Sequence, residues 1–233
     1  MMIDKGNNNI DVGIPNDAYD TGKDMPTFRA YLIAIVRDST GKVINVHKQK
    51  SHSPTANFIG LLLPLTWFRN TGSSYTITNV ANGTCSYKPS IGVTQQCIAY
   101  PNTAYNYQVY TVMIQVGSGS QPNPSSAITL AAPISNGSGS GQLIYYPVSL
   151  PTSATVSGSS AYFYISQEYG NQSGATITIT EVGIILQLTL ATVNGSITTN
   201  CGNILTWYDV LSSSISIPNG GSVSIYYTFS VNP

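Results

Sequence analysis

Residues able to do acid–base or nucleophilic chemistry are few in this chain, and they are poorly spaced for it. The two histidines, His47 and His52, both fall in a short basic stretch with Lys42, Lys48 and Lys50. His47 stands beside Lys48 and is expected at the surface. His52 precedes Ser53-Pro54, where an imidazole would order a turn. No G-x-S-x-G, H-E-x-x-H or G-x-x-x-x-G-K-[ST] string occurs, so the sequence offers no nucleophile elbow, zinc-protease helix or phosphate loop. Glycoside hydrolysis needs two carboxylates flanking one sugar bond. Residues 89–233 hold only Glu168, Glu181 and Asp209 as acids. Glu181 and Asp209 are expected to hydrogen-bond loop backbone. Asp209 follows Trp207 and Tyr208, and that trio could also stack on a sugar, which makes Trp207, Tyr208 and Asp209 candidate glycan contacts.

Other polar constellations are equally sparse. The cysteines are Cys85, Cys97 and Cys201. Cys85 and Cys97 could close a disulfide across a loop-rich stretch, but buried free thiols are the expected state, and one cysteine is left over either way. No C-x-x-C or Cys/His cluster is present, so structural zinc is not expected, nor is any cofactor. Asp17, Asp20 and Asp24 lack the spacing of an EF-hand loop. Sequons occur at Asn82, Asn136, Asn171 and Asn194. The 19 Asn and the 53 Ser and Thr among 233 residues give about four by chance. The four asparagines therefore mark surface loops and candidate N-glycosylation points, no more.

The composition explains why chemistry is scarce. Only 8% of the chain is charged, with nine basic and nine acidic residues and no net charge, whereas an average soluble protein is about 25% charged. Hydrophobic residues make up 42%, too many for a disordered chain. There is no basic excess for nucleic-acid binding. The apolar run from Phe58 to Leu65 is far shorter than the roughly 20 residues of a transmembrane helix. Polarity comes instead from 29 Ser, 24 Thr and 16 Tyr. Charge is also unevenly placed: every Lys and Arg lies within the first 88 residues. Hydroxyls and amides do not titrate between about pH 2 and 9. A surface rich in them is expected to tolerate acid, because acid unfolding works mostly by protonating paired carboxylates.

The elements that must position these residues are strands. Residues 1–27 carry Gly6, Gly13, Pro15, Gly22 and Pro26 and are expected to be an extended arm that crosses to a neighbour. Residues 28–37 and 42–46 flank Asp38-Ser39-Thr40-Gly41 and predict a hairpin. Ser53-Pro54 reads as a helix cap with Pro at the first position. Phe58, Leu61, Leu62 and Leu65 recur at helical spacing, giving one short helix near residues 54–66. Beyond residue 70 the pattern is β. In residues 176–190 the apolar phase moves from Ile177 and Ile179 to Ile184, Leu186 and Leu188, which predicts a β-bulge at Glu181-Val182-Gly183. Val223, Ile225, Tyr227, Phe229 and Val231 are expected inward and their neighbours outward, after a turn at Pro218-Asn219-Gly220-Gly221. Tyr on both faces of several strands suits contact between subunits. The expected fold is all-β: an antiparallel, jelly-roll-like β-sandwich over residues 28–233, with a sub-boundary open near residues 70–105.

Four segments carry a resemblance. Val36-Arg37-Asp38-Ser39-Thr40-Gly41-Lys42-Val43, followed by Ser51-His52-Ser53-Pro54-Thr55-Ala56-Asn57-Phe58, is the first. Ile114-Gln115-Val116-Gly117-Ser118-Gly119-Ser120-Gln121-Pro122 is the second. The third is Ala175-Thr176-Ile177-Thr178-Ile179-Thr180-Glu181-Val182-Gly183. The last joins Tyr208-Asp209-Val210-Leu211-Ser212-Ser213 to Ile217-Pro218-Asn219-Gly220-Gly221-Ser222-Val223-Ser224-Ile225. In this order they resemble small β-rich virion proteins of thermophilic archaeal viruses, of the fusellovirus-like, spindle-shaped kind. Tyr208 stands where that family often has Arg. The resemblance implies a non-enzymatic tail-end adaptor or nozzle protein that forms symmetric homo-oligomeric rings and contacts other virion proteins. A receptor- or glycan-binding attachment module is the alternative. The first residues lack an apolar signal-peptide core, so the expectation is synthesis in the host cytoplasm and residence in the virion.

Overall fold

The computed structural model describes residues 27–51, 54–59, 75–81, 83–87, 97–98, 112–191 and 198–232. The chain is all-β with antiparallel sheets and sandwich character, as the alternating apolar pattern predicts. Its strands are β1 (Thr27–Arg37), β2 (Val43–Ser51), β3 (Tyr75–Thr78), β4 (Thr84–Tyr87), β5 (Cys97–Ile98), β6 (Val112–Gly117), β7 (Ile144–Tyr145), β8 (Thr155–Ser157), β9 (Ser160–Gly170), β10 (Ile177–Ala191), β11 (Thr198–Ile217) and β12 (Ser222–Asn232). The expected arm lies outside the described residues except for Thr27, which opens β1. Among the described residues, no helix is long and apolar enough to cross a membrane.

The chain divides into two compact units. Unit 1 comprises Met1–His52, Ile134–Ile179 and Leu211–Pro233; unit 2 comprises Ser53–Pro133 and Thr180–Val210. None of these divisions falls between residues 70 and 105.

Unit 1 is built on a sheet of order β2-β1-β12-β9-β7, with β8 also pairing β9. The β1–β2 hairpin forms where the turn chemistry placed it. Asp38 Oδ1 accepts from the Thr40 hydroxyl at 2.6 Å and from the N–H groups of Thr40 and Lys42. The Thr40 hydroxyl, then the two N–H groups, hold the Asp38 carboxyl below its ordinary value. One sheet face carries Leu32, Ala34, Val36, Val223, Ile225, Tyr227 and Tyr169, all buried. The same face is tied to residues 211–217 of β11: the Ser212 N–H donates to Gln49 Oε1 at 2.8 Å, and His47 Nδ1 lies 3.1 Å from Ser213 Oγ. The expected inward set on β12 is therefore buried, apart from Val231 at its end. The outward expectation fails for Ser224, Thr228 and Ser230, which are buried as well. β12 is a central strand covered on both sides, and hydroxyl-bearing side chains fill its second face.

Unit 2 holds the β6–β10 pair, the short β5 against the end of β10, and the β3–β4 hairpin. β10 and β6 pair in unbroken register from Glu181↔Gly117 to Leu186↔Val112, so the predicted bulge is absent on that side. The change of apolar phase has another cause. Residues 181–185 of β10 are all buried, whereas residue 178 is exposed, and a strand covered on both faces loses its alternation. Ala127, Leu130, Ile185, Leu205 and Tyr208 form a hydrophobic cluster here. Helical backbone is described at residues 56–59. It starts later than predicted. Thr55 supplies the first carbonyl, accepting from the Phe58 N–H at 3.0 Å, and Pro54 instead bridges to Trp207. The expected cap Ser53 and residues 60–66 lie outside the described residues. Asn57 fixes the turn by donating to the carbonyls of Thr78 and Leu205.

Candidate functional site

Among the described residues of unit 2, the densest polar constellation surrounds Glu181, which is fully buried on β10. Its register partner, Gly117, ends β6 and starts a loop that returns to bridge Gly117 with Pro133. That loop aims its backbone N–H groups at the carboxylate. Oε1 accepts from Ala132 N–H at 2.7 Å and Gly119 N–H at 3.2 Å. Oε2 accepts from Ala131 N–H at 3.0 Å and from the Tyr208 hydroxyl at 2.6 Å. Tyr208 Oη in turn accepts from Gln121 N–H at 2.9 Å, and Thr180 Oγ1 donates to Gly119 O at 2.7 Å. One side chain thus secures both ends of the loop to β10 and, through Tyr208, to β11.

Glycine at 117 and 119 is a packing requirement. A Cβ on Gly117 would overlap Glu181 Oε1 and stand 2.7 Å from Ala132 O; one on Gly119 would sit 2.7 Å from Ala131 Cβ and 2.9 Å from Oε1. The G-S-G string in the sequence is the imprint of this close approach. Burial first, and the bond to Glu181 second, push the Tyr208 phenol above its ordinary value.

The chemistry of this arrangement is limited by its saturation. A carboxylate offers about four lone-pair sites, and all four here accept from the protein. None is left for a water or a substrate proton, so in this geometry Glu181 acts as a structural acceptor. The expectation that it bonds loop backbone holds.

The remaining sequence-predicted residues are dispersed. Trp207, Tyr208 and Asp209 are all buried. Trp207 packs edge-on to Phe58 at a centroid distance of 5.3 Å. A sugar cannot stack on buried rings, so the expectation of a glycan contact at Trp207, Tyr208 and Asp209 is corrected: they lie in the covered middle of β11. His47 is buried, against expectation. Its Nε2 lies 2.9 Å from Gln49 Oε1, and a neutral ring donating there accepts at Nδ1 from Ser213. The surrounding lysines obscured this, because Lys48 and Lys50 point to the opposite sheet face. His52 and the side chains of Cys85 and Cys97 lie outside the described residues, as do Asn82 and Asn194. Among the described residues, no group of three or more His, Cys, Asp or Glu is placed to hold a metal ion.

The two described sequons differ. Asn136 is exposed, and its Oδ1 accepts from Tyr145 N–H at 3.0 Å. Asn171 is fully buried: Nδ2 donates to Ala175 O and Ile217 O, both at 2.8 Å, while Oδ1 accepts from the N–H and hydroxyl of Ser173. Its amide nitrogen is committed to the fold, so in the folded chain Asn171 pins a corner and is no glycan acceptor.

Sequence reasoning missed a surface feature of unit 1. Phe28, Val231, Ala161 and Val156 are successive register partners across β1, β12, β9 and β8. They form one apolar row on the same sheet face as the core. Phe28 is 53% exposed, Val231 43% and Val156 73%; Phe163, in the next row, is 38% exposed. The signal in the sequence was Val231, where the inward alternation of β12 continues past the covered part of the sheet. Compared with known proteins, the chain matches no family model, no curated protein and no solved structure.

Proposed function

We propose that this chain is a non-enzymatic structural subunit of a virion, a tail or vertex component of an archaeal virus that assembles with copies of itself into a closed ring. Within that reading the sandwich is jelly-roll-like, and the arm of residues 1–27 reaches a neighbouring subunit. The observation that carries the reading is the apolar row of Phe28, Val231, half-buried Ala161 and Val156, exposed at the other three positions, with exposed Phe163 beside it. Soluble monomers rarely leave contiguous apolar rows in water, and such rows mark interaction sites. A second copy of the chain is the simplest partner, because closed homo-oligomers dominate soluble assemblies. The saturated Glu181 carboxylate also favours a structural role. The four segments resembling archaeal virion proteins support the viral setting, and synthesis in the host cytoplasm followed by residence in the virion goes with it.

Negative-stain electron microscopy of the purified chain tests the proposal. Rings of uniform subunit number are expected, and gold-labelled antibody should decorate one end of virus particles. Monomers at every concentration, with no labelled particles, would refute it.

A further inference from the structure

We propose that Asn136 and Asn219 are latent deamidation sites that the fold holds silent through the same pair of hydrogen bonds. Each precedes a glycine, Gly137 and Gly220. In an Asn-Gly pair the glycine nitrogen can attack Cγ of the asparagine. A new N–C bond forms, the Cγ–Nδ2 bond breaks, and ammonia leaves. Water then opens the cyclic imide at either carbonyl, giving aspartate or isoaspartate. The sum is asparagine plus water to the acid plus ammonia, with no other reactant. Asparagine is thermolabile for this reason.

The reaction needs a glycine nitrogen free to lose its proton and a carboxamide free to swing onto it. Both freedoms are removed at both sites. Gly220 N–H donates to Asn171 O at 2.7 Å, and Gly137 N–H donates to Leu143 O at 3.0 Å. Asn219 Oδ1 accepts from Gly174 N–H at 2.9 Å, and Asn136 Oδ1 accepts from Tyr145 N–H at 3.0 Å. Nucleophile and electrophile are thus each tied to a different partner, in two unrelated loops. The recurrence is what carries the inference.

The two clamps share one plan, in which an exposed asparagine is followed by a glycine held by the backbone carbonyl of a buried residue. Asn171, which holds Gly220, is itself fully buried, and its Nδ2 donates to Ile217 O. Leu143, which holds Gly137, is fully buried as well, and both Asn136 and Asn219 are exposed. Both side-chain clamps are exposed and both backbone clamps end on a buried residue, so the two sites react at comparable rates in the folded chain. Asn82 and Asn194 begin two further Asn-Gly pairs and lie outside the described residues.

The test uses the whole chain aged in mildly alkaline buffer, folded in one arm and unfolded in guanidinium chloride in the other. Chymotryptic peptides are then scored for the mass gain of Asn-to-Asp conversion; trypsin has no site beyond Lys88. Both sites should convert at least about tenfold more slowly in the folded arm. Asn171→Ala keeps the backbone carbonyl that clamps Gly220 but removes the side-chain bonds to Ala175 O and Ile217 O that hold it in place, so it should raise the rate at Asn219 severalfold and leave Asn136 unchanged. Rates within twofold in the two arms would overturn the proposal. So would equal acceleration of both sites by Asn171→Ala, which would mean general loosening. The folded-versus-unfolded comparison needs no variant. Hydrogen exchange of the Gly137 and Gly220 amides gives a second readout: slow exchange is expected, and fast exchange would overturn the clamp.

Discussion

Replacing Glu181 by glutamine tests the cage most sharply, because it changes acceptors into donors without changing shape. Glutamine keeps one oxygen. With that oxygen at the Oε1 position, Gly119 and Ala132 N–H remain satisfied, and the new NH2 faces Ala131 N–H and the Tyr208 hydroxyl. The hydroxyl can turn and accept, but its own proton then loses its acceptor, and Ala131 N–H faces a second donor, so two donors are stranded. With the amide reversed, Ala131 N–H and the hydroxyl stay satisfied and Gly119 and Ala132 N–H are stranded, so either arrangement leaves two donors without an acceptor. A stranded donor costs about 1–3 kcal/mol when fully buried; the backbone donors here belong to half-buried or exposed residues, so two stranded donors give an expected loss of about 2–3 kcal/mol for Glu181→Gln. Glu181→Ala strands all four donors and is expected to cost about 4 kcal/mol or more. Tyr208→Phe should cost about 1–2 kcal/mol, and the double variant with Glu181→Gln should cost less than the sum of the two. Urea unfolding at neutral pH gives the magnitudes. Native hydrogen exchange gives the location: the amides of Gly119, Ala131 and Ala132 should lose protection while those of β1 and β12 keep it. Stability within about 0.5 kcal/mol of the parent, or uniform loss of protection, would refute the reasoning.

Three further outcomes follow from the same geometry. Gly117→Ala forces a Cβ against Glu181 Oε1 and the Ala132 carbonyl and should destabilise by about 1–3 kcal/mol in the same unfolding assay. Asn171→Ala removes a buried side chain that donates twice and accepts twice and should cost about 2–4 kcal/mol in urea melts, whereas Asn136→Ala should be close to neutral. The phenols of Tyr208 and Tyr169 are pushed above the ordinary value of 10.0, chiefly by burial. The unfolded chain then loses those protons first, so stability is fully present below pH 10 and falls as pH rises above it; thermal melts across that range check the sign.

Much of the fold was legible because it rests on local chemistry. Asp38-Ser39-Thr40-Gly41 and Pro218-Asn219-Gly220-Gly221 form the turns their residues specify, and Gly221 N–H closes the second onto Pro218 O at 3.0 Å. What was lost is two-sided burial. Alternation reports a strand with one wet face, whereas residues 223–225 and 227–230 of β12 and residues 181–185 of β10 are buried on both. There the pattern imitated an outward face in one strand and a bulge in the other. The same blindness affected the site. Glu181 was identifiable as a lone acid beside a glycine-rich segment. That Trp207, Tyr208 and Asp209 would be covered, and that His47 would turn inward beneath exposed lysines, depends on which sheet face each strand presents to a neighbour. Spacing within a strand does not record that. The apolar row across β1, β12, β9 and β8 joins residues from four separate strands, so no window of sequence contains it.

The central claim is that this row is a contact between copies of the chain. Sedimentation velocity over a concentration series measures it directly, with the parent compared with Val156→Glu and Val231→Glu. Both positions are solvent-facing in the isolated chain, so the variants should fold and melt like the parent. The account predicts a discrete oligomer for the parent and monomers for the folded variants. A parent that sediments as a monomer throughout, or variants that assemble as the parent does, would contradict it.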